Sequence, residues 1–545
     1  MEEQQVRSRL HVLEPLVSWL PEIKTPEHRV PLQNKIIVTC LALVLFFIMT
    51  QIPIYGMPAE PASFFGQLRV VFASHAGSLM ELGIMPIVHA GGLMQLLVGS
   101  KIIGLDITNS KDRAIFRGVQ KLLAILMGVF LGSVFVLAGY YDVGLGSSAG
   151  IFIIIQLTLA TLILVYLCEL VSKYGFGSGI GLFVVGDIAT TIVWQAANPM
   201  APYGAIPHFA GTLLGGGGMA NAFFRSGALP NMMGVVATIL VFLIVVYVEK
   251  IRIEIPIVHK RAGGLRGLYQ IKFLYTSVIP IILTMTVFTS IITLGIFFPP
   301  LQGISYYLTP PIGIPAVLAD PLQAAIYFVV LVFLCMGFSW LWVKATGMES
   351  RDLSEQFKRL GISPLNAEAT NQVLDRQIII FALLGGALVG GLVGLADFTG
   401  TLVSGYGIIL AVGILYVLYG EVVREHAWDI EAWRGKKTKF EGKVCPVCGS
   451  GSFVHSGTFS GWTLPGVHTA QKYLCKNCGY TGPIIIELQS EGDVEKLKQN
   501  YSREIKDGTK YSQPIFPSKW ISFWKIITVL VFMEIVVLPI LILLV

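Results

Sequence analysis

The sequence predicts an all-α protein that crosses a membrane many times, and three observations carry that reading. Of its 545 residues 54% are hydrophobic and only 13% charged, with a mean hydropathy of +0.71, far more apolar than a soluble domain. Ten uncharged or nearly uncharged runs are long enough, as helices, to cross an apolar core of about 30 Å. The loops between these runs sort alternately into a cationic set and a set almost without cations.

Taken in order, the chain opens with Glu2, Glu3, Glu14, Pro15, Glu22 and Pro26 mixed among short apolar pieces, which is not the pattern of a cleaved signal peptide. LHVLEPLVSWL suits a short amphipathic helix on the membrane surface. The first span covers residues 36–54. EPASFFGQLRVVFASHAGS, residues 60–78, is too polar and too broken to cross, and by physics alone reads as an external loop with a surface helix.

The second run, LGIMPIVHAGGLMQLLVGS (82–100), holds Pro86, the pair Gly91 and Gly92, and Gln95, so as a helix it can kink, let neighbours approach closely and offer one hydrogen-bonding group, with Ile84 and Val88 on one face. The remaining runs are 122–138, 151–167, 182–196, 233–247, 273–298, 324–343, 378–396 and 402–422. Within the ninth, Gly386, Gly390 and Gly394 recur at small-xxx-small spacing, which lets helix backbones approach closely. Cys40, Cys168 and Cys335 lie in runs far apart in sequence and read as buried packing residues.

Charge sets the orientation. One set of loops carries Lys101, Lys111, Arg113, Arg117 and Lys121, then Lys250, Arg252, Lys260, Arg261, Arg266 and Lys272, then Lys344, Arg351, Lys358, Arg359 and Arg376. The opposite set, 140–148, 297–320 and 398–404, has neither Lys nor Arg, and 196–230 has only Arg225. Both ends of the ten-span unit therefore belong in the cytosol.

No motif for enzyme chemistry is present: neither H-E-x-x-H nor G-x-x-x-x-G-K-[ST] occurs, and GFGSGIG (175–181) joins two spans without the strand a dinucleotide site needs. Asp187 and Asp397 lie at or near span interiors. Asp397 is close to an external end where solvent can serve it, and Asp187 is placed to face a water-filled space. A secondary transporter would use such charges at the midplane, whereas a polypeptide channel needs only an apolar constriction.

Past residue 425 the composition changes. Arg434, Lys436, Lys437, Lys439 and Lys443 lead into CPVC (Cys445, Cys448), and 26 residues later comes CKNC (Cys475, Cys478). These paired knuckles resemble a zinc ribbon, a small β domain over 431–490 whose four thiolates suit one structural Zn²⁺, with His455 and His468 left out of the ligand set. On the reducing side of the membrane such thiols stay free to take metal. After a linker over 491–520, residues 521–545 form an eleventh apolar run, interrupted by Lys525 and Glu534, which would leave the C-terminus outside.

Four stretches, LGIMPIVHAGGLMQLLVGS, DRAIFRGVQKLL, VSKYGFGSGIGLF and IKFLYTSVIPIIL, together resemble the SecY family, the protein-conducting channel of the secretory pathway, in its archaeal and eukaryotic form. The resemblance runs from about residue 16 to 425 and implies a ten-helix bundle in two pseudo-symmetric halves over 1–430. It also implies a plug at 60–78, with Phe64, Phe65, Val70, Val71, Phe72 and His75, and a pore ring at Ile84, Val88, Ile180, Val184, Ile282 and Leu410. A lateral gate to lipid would involve His89, Gln95 and Ser290, between the second span and the one containing Pro280.

The sequence departs from the family's pattern in placing His75 where Arg is expected, His89 for Thr and Ser290 for Asn. Protonation of the two histidines at low pH is expected to favour a wetter, more open gate. The implied ribosome-docking cations are Lys250, Arg252, Lys260, Arg261, Arg266, Lys358 and Arg359, which would meet rRNA phosphates. Implied partners are secretory and membrane polypeptides with signal sequences, the ribosome, lipid, a SecE-like subunit and a second small subunit. The implied site is the cell membrane, with the N-terminus and the ribbon in the cytosol.

Overall fold

Helices dominate the computed structural model, which describes residues 15, 20–24, 26, 30–56, 69–99, 110–137, 141, 143–144, 146–200, 204–216, 218–225, 229–259, 265–272, 279–297, 299–345, 362–364, 367–433, 443–445, 453–455, 473–475, 481–482 and 486–487. Among these, seven helical stretches are long and apolar enough to cross a membrane: Leu32–Gln51, Ile115–Leu137, Ser148–Tyr174, Gly179–Ala197, Met232–Glu249, Pro321–Val343 and Ile378–Thr399. The linker 491–520 and the eleventh run 521–545 lie outside the described residues.

In chain order, α1 (Leu32–Gln51) is followed by a single turn, α2 (Arg69–Phe72), and then α3 (Met85–Gly99), α4 (Ser110–Leu137) and α5 (Ser148–Tyr174). α6 (Gly179–Ala197) leads through two short helices, α7 (Ala205–Leu214) and α8 (Met219–Phe223), to α9 (Met232–Glu249). Strands β1 (Arg252–His259) and β2 (Leu265–Lys272) precede α10 (Ile279–Phe297), α11 (Gln302–Leu308), α12 (Ile314–Ala319) and α13 (Pro321–Ala345). β3 (Ile362–Pro364), α14 (Ala367–Thr399) and α15 (Gly405–Trp433) complete the membrane part.

Local chemistry sets several helix ends. The Ser147 hydroxyl accepts from Gly150 N–H at 3.1 Å and starts α5, and the Asn231 side chain accepts from Gly234 N–H at 2.7 Å to start α9. α3 begins at Met85, later than the apolar run does, so Pro86 sits in its first turn and does not kink it. The kink that the sequence permits is not formed. Ile84 lies just before the helix, with its carbonyl accepting from Val88 N–H at 3.0 Å.

Packing joins the spans. α1 and α4 each pack on α5, and α3 on α4; α10 packs on α13 and α13 on α14, while α6, α9 and α14 all meet α15. The glycine stripe of α14 works as its spacing predicts. A Cβ at Gly386 would stand 2.7 Å from the Cys335 carbonyl oxygen, one at Gly390 3.0 Å from Val332 Cα, and one at Gly394 2.6 Å from the Phe328 ring, so the glycines let α14 approach the backbone of α13 at two turns and a ring at the third. Cys168 and Cys335 are buried as expected; Cys40 is exposed, because it lies on the outward face of α1.

A charge network, buried at Lys121 and Glu169 and exposed at Glu22, ties the N-terminal segment to the bundle. Lys121 Nζ lies 2.5 Å from Glu169, Lys173 Nζ lies 2.8 Å from the same carboxylate, and Lys173 reaches Glu22 at 3.1 Å. Glu169→Ala would leave Lys121, which is buried, without its carboxylate, at a cost of about 3–5 kcal/mol. A fall in the thermal midpoint of the detergent-solubilised chain, absent in a Lys121→Met, Glu169→Leu double variant, is the measurement that checks it.

The all-α expectation is corrected in one place within the membrane part. β1 pairs antiparallel with β2 from Arg252↔Lys272 to His259↔Leu265, and β3 adds to β1 through Ile257↔Pro364, giving a sheet ordered β2-β1-β3. Ile253, Ile255 and Ile257 alternate with other residues at the strand period, which is why this cationic loop is a hairpin.

Beyond α15 lie five short strands: β4 (Lys443–Val444), β5 (Phe453–His455), β6 (Tyr473–Cys475), β7 (Thr481–Gly482) and β8 (Ile486–Glu487). β4 pairs with β8, and β5, β6 and β7 form a second antiparallel sheet. β8 also packs against β2 of the hairpin.

Candidate functional site

The segment from α2 to the start of α3 folds back into the bundle. α2 packs against α6 and α15, and the chain then turns sharply at Ala73, which holds a left-handed φ of 48° although it carries a side chain. The turn is closed by Ile84 N–H donating to the Phe72 carbonyl at 2.8 Å. Only glycine fits at Gly83, whose φ is +51° and whose Cβ would stand 2.1 Å from the Phe72 carbonyl oxygen.

Polar contacts hold this segment. Arg69 pairs with the buried Glu81 at 2.9 Å, the Glu81 carboxylate also accepts from Gly77 N–H, and its carbonyl accepts from the Ser74 hydroxyl. Sequence reading passed over Arg69, Glu81 and Gly83; their signal was a charge pair and a glycine flanking a turn-rich stretch. His75 reaches out of the segment, its Nε2 meeting the Asp187 carboxylate of α6. Asp187 is thus buried against the folded-back segment, which is what it faces in place of open water.

The six ring candidates all lie inside the bundle. Ile84, Ile180, Val184 and Leu410 are buried, and Val88 and Ile282 pack partly buried against the same hydrophobic cluster, which also takes in Ala73 and Met80 of the folded-back segment. That cluster is large and takes in residues of most of the spans, so membership places the six in the core without separating them from their neighbours. Ile84 is the residue just before α3, and its carbonyl accepts the first α-helical bond from Val88 N–H at 3.0 Å, so the two stand one helical turn apart.

At the predicted gate, His89 Nδ1 donates to the Met85 carbonyl at 2.7 Å, and its ring stacks on Phe72 with centroids 5.9 Å apart. The gate helix therefore touches the folded-back segment through His89. Ser290, on α10, donates to the Thr286 carbonyl at 2.8 Å, a bond within its own helix. The backbone of Gln95 lies in α3 and its side chain lies outside the described residues, as do the side chains of Val70 and Val71. Phe64 and Phe65 lie outside them altogether.

Asp397 corrects a further expectation. It is buried, accepting from the Tyr327 hydroxyl at 2.8 Å, so a side chain from α13 serves it where solvent was expected. Outside the membrane, Asp320 accepts from Gln323 N–H at 3.1 Å and from the Tyr306 hydroxyl at 2.7 Å, and these bonds hold its carboxyl below the usual carboxylate range.

Of the docking cations, Lys250 ends α9, while Arg252 and Arg266 have backbones in β1 and β2, paired strands. Lys260, Arg261, Lys358 and Arg359 lie outside the described residues. In the small domain Cys445 follows β4 and Cys475 ends β6, and both are buried. Cys448 and Cys478 lie outside the described residues, and among those that are described no three metal-binding side chains cluster.

Comparison with known proteins fits this geometry. The SecY family profile matches residues 78–419, more than half of the chain. The chain belongs to the SecY family. The profile for the plug domain of Sec61p matches residues 44–77, where the folded-back segment begins. The protein translocase subunit SecY of Pyrococcus furiosus is 38% identical over 451 residues, covering 76% of this chain and 96% of the relative. That of Methanothermobacter thermautotrophicus is 39% identical over 451 residues, covering 76% and 96%.

Among solved structures, a protein-conducting channel superposes with a TM-score of 0.58 at 35% identity, covering 76% of this chain and 97% of that one. Sec61 in a canine ribosome-channel complex superposes with a TM-score of 0.57 at 34% identity, covering 76% and 97%.

Proposed function

We propose that this chain is the pore-forming subunit of a protein translocase, passing secretory polypeptides across the membrane and releasing transmembrane segments into lipid. The observation that carries the reading is the folded-back segment, a SecY-family plug by match, seated on α6 and α15 and joined to Asp187 by His75. A channel of this kind holds no substrate-specific charge at its centre and closes by apolar contact. The role is conduction, not catalysis. Reconstitution into vesicles tests it: uptake of a polypeptide bearing a signal sequence is expected, and transport of a small solute with no polypeptide uptake favours a secondary transporter instead.

The finer organisation follows from the sequence. Ten spans, adding α3, α10 and α15 to the seven long apolar stretches, return the chain to the cytosol before the ribbon, and residues 521–545 cross once more. The cationic hairpin β1–β2 is the ribosome-docking element, supported by the ribosome complex among the chain's structural neighbours. A SecE-like subunit and a second small subunit complete the assembly in the cell membrane.

The ribbon is proposed to hold one structural Zn²⁺ on Cys445, Cys448, Cys475 and Cys478, and to extend the docking surface. Two buried thiols at strand ends of neighbouring sheets fit the tetrathiolate pattern, and β8 packs against β2 of the docking hairpin. Elemental analysis of the purified full chain should find one zinc, lost in a Cys445→Ser, Cys475→Ser variant. Full zinc content in that variant refutes the ligand set.

A further inference from the structure

The connection between α6 and α9 lies on the side opposite the cationic loops, and it is not built like a segment that meets water. Residues 196–224 contain no Asp, Glu, Lys or Arg. Within α7 the exposed positions are Ile206, Ala210, Gly211, Leu213 and Leu214, so Ile206, Ala210, Leu213 and Leu214 form a stripe at i, i+4, i+7 and i+8. Leu214 is 90% exposed, and beyond the glycine run Met219 is 64% exposed. The polar side chains His208 and Thr212 avoid that stripe, and the Thr212 hydroxyl is turned back onto the His208 carbonyl at 2.8 Å. A helix lying in water has the opposite polarity.

We infer that the α7–α8 connection is a lipid-embedded element, with the Ile206–Ala210–Leu213–Leu214 stripe facing the acyl chains of the outer leaflet. Depth supports this occupant. α6 has 19 residues and α9 has 18, each close to the length that crosses the apolar core, so a segment packed against both occupies the membrane boundary. Continuity supports it too: the outer turn of α6 exposes Val193 and Trp194, and the outer part of α9 exposes Val236, Ile239 and Leu240, surfaces that a spanning helix presents to lipid. Trp194 stands where an indole marks the interface. The Phe209 and Phe223 rings meet edge to face at 5.3 Å, which holds α7 and α8 together as one piece.

α7 and α8 themselves carry no charge, and Arg225, just beyond α8, is the one charged side chain of residues 196–230, so the stripe's hold on lipid is hydrophobic, unlike that of basic interfacial helices. This inference needs only the two flanking spans and is independent of what the channel conducts.

The test uses the full chain in nanodiscs of zwitterionic lipid, with Cys40→Ser and a spin label at Leu214→Cys; Thr309→Cys, exposed on the same side, is the water reference. Accessibility to oxygen at Leu214 should exceed accessibility to a water-soluble nickel chelate, with the reverse at Thr309, and adding anionic lipid should leave the ratio unchanged. Nickel accessibility equal to that at Thr309 overturns the inference. So does a label shielded from both reagents, which would mean that protein covers the stripe. Because Leu214 is almost wholly exposed, the cysteine replacement removes little packing, and a second label at Leu213 repeats the reading.

Discussion

Removing the apolar bulk of the ring, by changing Ile84, Val88, Ile180 and Val184 to Gly or Ser, is expected to leave polypeptide transport working while resting ion conductance rises about tenfold or more. Tenfold corresponds to about 1.4 kcal/mol off the permeation barrier. The reason is dewetting: an ion must shed water to enter a narrow aliphatic constriction, and a polar or vacant lining removes that cost. Ile84, Ile180 and Val184 are buried, so truncation also costs core packing of about 2–5 kcal/mol for a large aliphatic. Val88→Thr and Val184→Thr separate the two effects, because each keeps the side-chain shape and exchanges one methyl for a hydroxyl, changing polarity without opening a cavity. Unchanged ion conductance in a folded threonine variant would remove these residues from the barrier.

Breaking the contact between His75 and Asp187 is expected to raise the same leak, and by a similar amount from either side. His75→Ala, Asp187→Ala and the double variant should all leak alike, because each removes one shared interaction, and a sum of two independent effects in the double variant counts against a latch.

Much of the architecture was legible because hydropathy and charge are local sums. The apolar runs among the described residues fall on helices, and Gly386, Gly390 and Gly394 pack on α13 as their spacing requires. The hairpin was missed because its isoleucine alternation lies inside a loop otherwise marked by cations, and β3, which joins it, comes from a different loop. Pro86 looked like a kink because hydropathy does not register where the first hydrogen-bonded turn begins. Asp397 was placed near solvent because sequence measures distance from a helix end and says nothing of Tyr327, a residue 70 positions earlier.

The sequence by itself determined that this chain is a multi-spanning membrane protein, that its cations gather in alternate loops, and which family's motifs it carries. Each follows from residues within one span or loop, where apolar length and loop charge are read without reference to partners. Only the tertiary structure decided how the plug is held. The histidine at position 75 meets a carboxylate 112 residues away, and Gly83 is required by a carbonyl that the chain brings back against it. Such pairings depend on how helices pack, and packing is set jointly by surfaces distant in sequence, so no local pattern can specify them.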